Sequence, residues 1–355
     1  MTIYSKITTS VLSVAICILI PFLSFATEPS PTNSTDLFET PGEELVPALD
    51  LVSDPSVVRI GVVLDGPGVD NIHLLERFKN EITGITEGEF KVLFPEKKTI
   101  TGNWIPEDIN NAVTRLLHDP EVDMLLALGI VASHQFCCRF DISKPVVAAF
   151  VVDAEVQQLP SKGSGTGRPF LNYVSNPAPI QRDLSVFLKM VDFEKVTVLV
   201  GKPFMEAIPN LEEQFLEAVK ILGLEIKLIS VEESAEEALG SLGKTTEVVY
   251  FGPMLNFPQD EFLKLVNGLA ERGIPSFSVM GCKEVDEGVL GGLRPRNEVE
   301  KRARHVARNV QRILRGEKAE NIPIQFPLDE RLCLNTETLQ TLGFSLDLKK
   351  TKDTD

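Results

Sequence analysis

Two successive series of short apolar runs, each run followed by an amphipathic stretch, constrain this chain more than any other feature. The first series is VVRIGVVLD (57–65), FKVLF (90–94), VDMLLALG (122–129) and KPVVAAFVV (144–152). The second is KVTVLVG (195–201), EIKLISV (225–231), EVVYFGP (247–253) and PSFSVMG (275–281). Runs that are apolar without alternation are buried on both faces, as in a parallel sheet covered by helices on each side. The stretches between them predict helices near 71–83, from Pro106, near 131–140, from Pro177 to Met190, and over 205–222, 233–240 and 257–271. The chain therefore reads as α/β, with two doubly wound parallel-sheet lobes that repeat in architecture though not residue by residue.

After Gly288 come VLGGLRP (289–295), a charged helix from about Asn297 to Arg315 ended by Gly316, the run IPIQFP (322–327), and a small helix from Thr336 to Leu342 stopped by Gly343. The charged helix carries Val306, Val310 and Ile313 at helical spacing, so it is a surface helix with a core stripe and not a nucleic-acid arm. Late segments that pass back between two lobes are the layout of a hinged binding protein. The expected organisation is a first lobe over 56–175 rejoined by 290–316, a second over 176–289 rejoined by 320–346, and a tail over 347–355. Ligands of open parallel sheets sit outside the carboxyl ends of the strands, so two facing lobes make a cleft from their loops.

The N-terminus carries Lys6, an apolar run from Val11 to Phe25, and Ser24 and Ala26 placed for cleavage after Ala26. That is the pattern of a secretory signal peptide, and the run is shorter than the roughly 20 residues that span a bilayer. Ile16 precedes Cys17 where a lipobox wants a small residue, which argues against a lipid anchor. Residues 27–55, with Pro29, Pro31, Pro41 and Pro47 among Ser, Thr and Glu, read as a tether. The mature product is expected in the periplasm. Its formal charge of −16, or −17 once Lys6 is removed, repels phosphate backbones and anionic membranes, so no nucleic-acid partner is expected. Of the four later cysteines, Cys282 with Cys333 is one pairing that an exported chain permits; buried small hydrophobes or free thiols are the other reading, and adjacent Cys137 and Cys138 rarely pair.

The tail RHVARNVQRILRGEKAENIPIQFPLDERLCLNTETLQTLGFSL (304–346) resembles the end of the substrate-binding proteins of a bacterial ABC-transporter family with tryptophan- and tyrosine-binding members. Ile313, Leu314, Gly316, Glu317, Lys318, Pro323, Asn335, Thr338, Leu342 and Gly343 carry the resemblance. LALGIVASHQF (126–136) is similar to the family's A-x-G-T-x-A segment with Ile130 in place of threonine, and AAFVVDAEV (148–156) to its V-x-D-P segment with Asp153 retained and Ala154 in place of proline. The resemblance implies a type I periplasmic-binding-protein-like fold and a small organic ligand, aromatic or amino-acid-like, delivered to an ABC permease or another inner-membrane partner. A sensor or scaffold of the same fold that signals without transport is the alternative. The family holds its ligand's carboxylate and ammonium at those loops, and Ile130 and the Gly201–Lys202–Pro203 turn, which has no Asn, depart from it.

Strand ends supply the candidate ligand contacts. Asp65 and Gly66 follow the first strand, against the plain reading of a turn aspartate. Gly129 to Ser133 opens a helix whose amides could cradle an anion, against Ser133 as a cap. Asp153 ends the fourth strand and could meet a ligand cation or close a hinge. Lys202, Phe204, Pro253, Met254 and Cys282 occupy equivalent ends in the second series, where Phe and Met suit an apolar wall though each is commonly core. Arg294, with Arg296 in the segment read as a crossover, suits a carboxylate or pairs with local acids. His134-x-x-Cys137-Cys138 lacks a second metal-ligand cluster, Gly163-x-Gly165-x-Gly167 lacks dinucleotide spacing, and Gly243-Lys244-Thr245 precedes a strand and has Ala238 where a phosphate loop has glycine. With no G-x-S-x-G and no H-E-x-x-H, the reading is a binding protein with no metal, no cofactor and no catalytic site.

Overall fold

The computed structural model describes residues 56–343 apart from Leu328; the expected signal peptide, tether and tail lie outside the described residues. Val58, Ile60 and every residue from 61 to 64 are buried on β1 (Ser56–Leu64), as a continuous apolar run requires of a central strand. On one side β1 pairs with β2 (Phe90–Leu93) and, further along, with β3 (Thr99–Thr101). On the other it pairs with β4 (Met124–Ala127), followed by β5 (Val146–Ala148) and β6 (Leu171–Tyr173), all parallel. The connecting helices are α1 (Val69–Thr86), α2 (Pro106–Leu117), with Pro106 in its first turn where a missing N–H is harmless, and α3 (Ile130–Cys138).

The second sheet is entered through α4 (Pro179–Met190). Its elements in chain order are β7 (Lys195–Gly201), α5 (Lys202–Ala207), α6 (Leu211–Val219), β8 (Glu225–Val231), α7 (Ala235–Ser241), β9 (Val248–Phe251), α8 (Gln259–Glu271), β10 (Ser276–Ser278), α9 (Cys282–Asp286) and β11 (Gly291–Gly292). After α10 (Glu298–Leu314) the chain adds β12 (Cys333–Leu334) and α11 (Thr336–Thr341). The strand order is β12-β11-β10-β9-β7-β8, parallel except for antiparallel β12. Each lobe is thus a parallel sheet between helices, the doubly wound arrangement expected. The helix predicted over 205–222 is two, α5 and α6, because Pro209 cannot continue a helix and Asn210 sits at φ 56°.

Among the described residues, three chain passages join the sheets: 174–178, 293–297 and a third that includes 329–332. Beyond the second passage α10 lies on the first sheet, where Val306, Val310 and Ile313 share a buried cluster with Phe78 and Ile82 of α1. Residues 320–326, which the pattern assigned to the second lobe, hydrogen-bond to the first instead. Ile324 N–H donates to Ser164 O at 2.9 Å, and Asn172 Nδ2 to Ile322 O at 3.1 Å. Ser175 N–H donates to Ile324 O and Phe326 N–H to Ser175 O, both at 2.9 Å, so the first and third passages run side by side. Under them lies Arg302, fully buried, paired with Glu298 and donating to Ala149 O at 2.9 Å and Val174 O at 3.1 Å.

A second apolar cluster crosses from one sheet to the other. It joins Val131 and Phe136 of α3 to Phe204 and Ala207 of α5 and to Val198, Val200 and Tyr250 on the face of the second sheet.

Candidate functional site

A small cavity lies between the loop after β5 of the first lobe and the face of the second sheet. Val152, Asp153, Val156 and Gln157, in the loop after β5, line it from the first lobe. Val200, Phe204, Phe215, Tyr250, Gly252 and Pro253 face them from the second. Its volume is about 20 Å³, room for roughly one water.

Asp153 is buried, and its Oδ1 accepts the Glu155 and Val156 N–H groups at 3.0 and 3.2 Å. Burial pushes its carboxyl above the usual range, against the pull of those amides and that of Ile180. Gln157 closes the same turn: its Oε1 accepts from Val152 N–H at 2.8 Å and Asp153 N–H at 3.2 Å. Its Nε2 is buried and has no partner among the described residues. Tyr250 presents its ring to the cavity while its hydroxyl donates to Asp183 Oδ2 at 2.9 Å, away from it.

Other strand-end residues have different company. Asp65 accepts from Val131 N–H at 2.9 Å and Ala132 N–H at 2.7 Å, so the amides expected to cradle a ligand anion at the start of α3 hold the chain's own carboxylate. Burial outweighs those bonds and lifts its carboxyl to about 6. Gly129 leaves space for it, since a Cβ there would lie 2.0 Å from Asp65 Oδ1. Gly66 is covered by the Trp104 ring, and Ser133 Oγ accepts Phe150 N–H at 3.1 Å.

In the second lobe Lys202 reaches Glu232 at 2.6 Å on the surface. Met254, half-buried, packs against the apolar cluster that contains Leu199, Phe251 and Phe262, while its neighbour Pro253 lines the cavity. Cys282 is bonded to Cys333, tying α9 to β12, so its sulfur is committed to the disulfide. Arg294 lies behind the cavity, its Nη2 3.4 Å from Val152 O and its Nε without a partner among the described residues. Its positive charge pulls down the carboxyls of Asp183, Glu284, Glu298 and Glu330. Arg296 pairs with Asp286. The sequence-chosen residues that meet at the cavity are therefore Asp153, Phe204 and Pro253. Gln157 joins them without having been singled out, and its one sequence signal is its place four residues after Asp153.

His134 and Cys138 are 3.5 Å apart through Nε2 and Sγ, and burial lowers the imidazole to about 4. Among the described residues no three His, Cys, Asp or Glu side chains gather to hold a metal ion. No helix there is long and apolar enough to cross a membrane.

No protein-family model matches the chain, and no curated protein matches its sequence. Solved structures do. An ABC domain in complex with L-Trp from Streptococcus pneumonia is 15% identical with a TM-score of 0.63, covering 84% of this chain and 98% of that one. A conserved domain protein from Vibrio cholerae is 14% identical with a TM-score of 0.62, over 84% and 98%. A leucine binding protein from Thermotoga maritima is 11% identical with a TM-score of 0.51, over 81% and 87%. At these identities the likeness concerns the fold, which is that of type I periplasmic binding proteins.

Proposed function

Because the chain folds as type I periplasmic binding proteins do, we propose that it is an extracytoplasmic solute-binding protein. It captures a small organic ligand between its lobes, closes on it and delivers it to an inner-membrane partner, an ABC permease. The observation that carries this reading is the small cavity walled by residues of both lobes, Val152 to Gln157 from the first and Val198 to Pro253 from the second. Export after cleavage at Ala26 agrees with the apolar run behind Lys6, and with the Cys282–Cys333 bridge, since disulfides persist in oxidising compartments. The role is binding without turnover. In the proposed organisation 56–175 and α10 form one lobe with 319–326, and 176–292 forms the other with 333–343.

A second reading, a sensor or scaffold for a membrane partner, is favoured by the narrowness of the cavity and by the apolar cluster that runs unbroken from α3 to α5. A thermal-shift screen of the purified protein against amino acids, aromatic acids, amides, nucleosides and short peptides separates the two. A ligand at a hundredfold excess over its Kd adds about 2.7 kcal/mol, or several degrees of Tm. Silence across that panel, with no ligand-dependent change in the radius of gyration, would favour the scaffold.

A further inference from the structure

β1 and β3 run side by side as far as Leu64 and Thr101, and the segments beyond them carry exposed apolar side chains. Val69 is 67% exposed, Ile72 59% and Ile105 51%. Trp104, half-buried, stands among them with its backbone at φ 63°, directly after Asn103 at φ 55°. Asparagine tolerates the left-handed region, but a bulky residue there is an outlier, and such outliers cluster at functional sites, ligand clamps among them. The Trp104 N–H donates to Asp65 O at 2.7 Å, which holds the turn. A Cβ on Gly66 would fall 2.0 Å from Cε2 and 2.1 Å from Cδ2 of the indole, the two atoms of its ring-fusion bond. Gly66 therefore lies under the flat of the ring, which leaves the opposite face for a second ring.

Contacts between the lobes flank this patch on two sides. Asn71 Nδ2 donates to Gly66 O at 2.6 Å, and its neighbour Asp70 meets Lys283 of α9, in the second lobe, at 3.1 Å, with both side chains open to solvent. Ile105 caps α2, which approaches α5 of the second lobe. The patch is thus continuous with the interface between the lobes, at a rim that water reaches, and exposed apolar patches of this kind mark ligand grooves. Resting on the solute-binding reading, we infer that Trp104 is the first-lobe wall of a ligand subsite at this rim, which takes a planar aromatic solute without an acid group, stacked on the indole. The charged groups beside it are Asp70 and Lys283, then Glu287, and Asp286 with its partner Arg296. Acids outnumber bases among them, so an anion is disfavoured.

The test is calorimetric titration of the purified protein at pH 7, to millimolar concentrations, with benzamide and nicotinamide, their acids benzoate and nicotinate, and the saturated cyclohexanecarboxamide. Stacking on an indole should favour each aromatic amide over cyclohexanecarboxamide by about three- to tenfold, and each acid should bind more weakly than its amide. Trp104→Leu keeps an apolar cover over Gly66 and should abolish the preference for an aromatic ring, and Trp104→Phe should retain it. The comparison of aromatic with saturated amide in the wild type needs no variant. Cyclohexanecarboxamide binding as tightly as benzamide, an acid binding as tightly as its amide, a preference that survives Trp104→Leu, or silence from all five compounds would overturn the inference and leave the solute-binding reading standing. Sedimentation that finds a dimer in the wild type and none in Trp104→Leu would overturn it too, assigning the patch to a second copy of the chain. Only silence across the wider thermal-shift panel would remove the solute-binding reading as well.

Discussion

Asp183 on α4 offers a quantitative check on the electrostatics around the cavity. The residue is 2% exposed and accepts the Tyr250 hydroxyl at 2.9 Å. Burial lifts its carboxyl from 3.8 to about 7, against the attraction of Arg294 and Arg182. With its folded pKa above its unfolded one, Asp183 makes folding take up a proton between about pH 4 and pH 7. Stability from this group therefore rises as the pH falls through 7 and levels off near 4. Integrated between pH 8 and pH 5, a shift of this size contributes about 2.5 kcal/mol.

Asp183→Asn removes the titration and keeps an oxygen to accept the Tyr250 phenol. Glu284, lifted to about 7, and Asp65, lifted to about 6, act in the same direction in both proteins, so the comparison between them isolates Asp183. Urea unfolding followed by the fluorescence of Trp104, the single tryptophan, would be run at pH 8 and pH 5. The wild type should gain about 2.5 kcal/mol more than the variant on going to pH 5, with m unchanged. Equal gains in the two proteins would refute the claim that a charged carboxylate at this position opposes folding.

Two further outcomes follow from groups near the passages between the lobes. The Cys282–Cys333 bridge closes a loop of sequence separation 51, so reducing it, or replacing both cysteines with alanine, should cost about 4 kcal/mol in urea unfolding; peptide mapping without reductant should recover the linked peptides. Arg302→Ala should cost about 3–5 kcal/mol in the same assay, because it leaves Glu298 buried without its hydrogen-bonded partner charge and the Ala149 and Val174 carbonyls without the Arg302 donor, and Arg302→Lys should not restore the lost stability because an ammonium cannot reproduce the planar fork.

The two sheets were legible because their central strands are buried on both faces and so run apolar without a break. β8 shows the limit of that signal: Glu225, Lys227 and Ser230 are exposed on this edge strand, and its alternating polarity still reads as a strand. Elements of two or three residues, such as β3, β11 and β12, leave no period to detect, and the sheet pairing alone defines them. The site was legible only in part. A strand end marks where a residue lies along the sheet, but the path of the loop beyond it decides where a side chain goes: adjacent Pro253 and Met254, past the end of β9, meet the cavity and the separate apolar cluster of α7 and α8 respectively. Asp65 illustrates a different failure: a carboxylate beside a helix N-terminus can be either a neighbour of the ligand or a substitute for it, and only the 2.7 and 2.9 Å bonds to α3 decide. Gln157 was not legible because its role depends on two backbone N–H groups taking one end of its amide.

The size of the cavity bears on how tightly any ligand can be held. Ligand sites are usually about 300–1,000 Å³, whereas the space here is about 20 Å³, so a solute can enter only if the lobes move apart. Separation exposes apolar surface that the continuous cluster now buries, and fully exposing one phenylalanine such as Phe204 costs about 1.5–3 kcal/mol. At the upper figure the open form is roughly a hundredfold less populated than the closed one before ligand arrives. Apparent affinity falls by the same factor, because a ligand binds only the fraction of molecules able to admit it. A compound with an intrinsic Kd near 1 μM would then register near 100 μM, and a screen stopped at micromolar concentrations would score a true ligand as silent. A membrane partner that held the lobes apart would restore the missing factor, and this makes ligand affinity in the presence of that partner the measurement that separates a transport component from a scaffold.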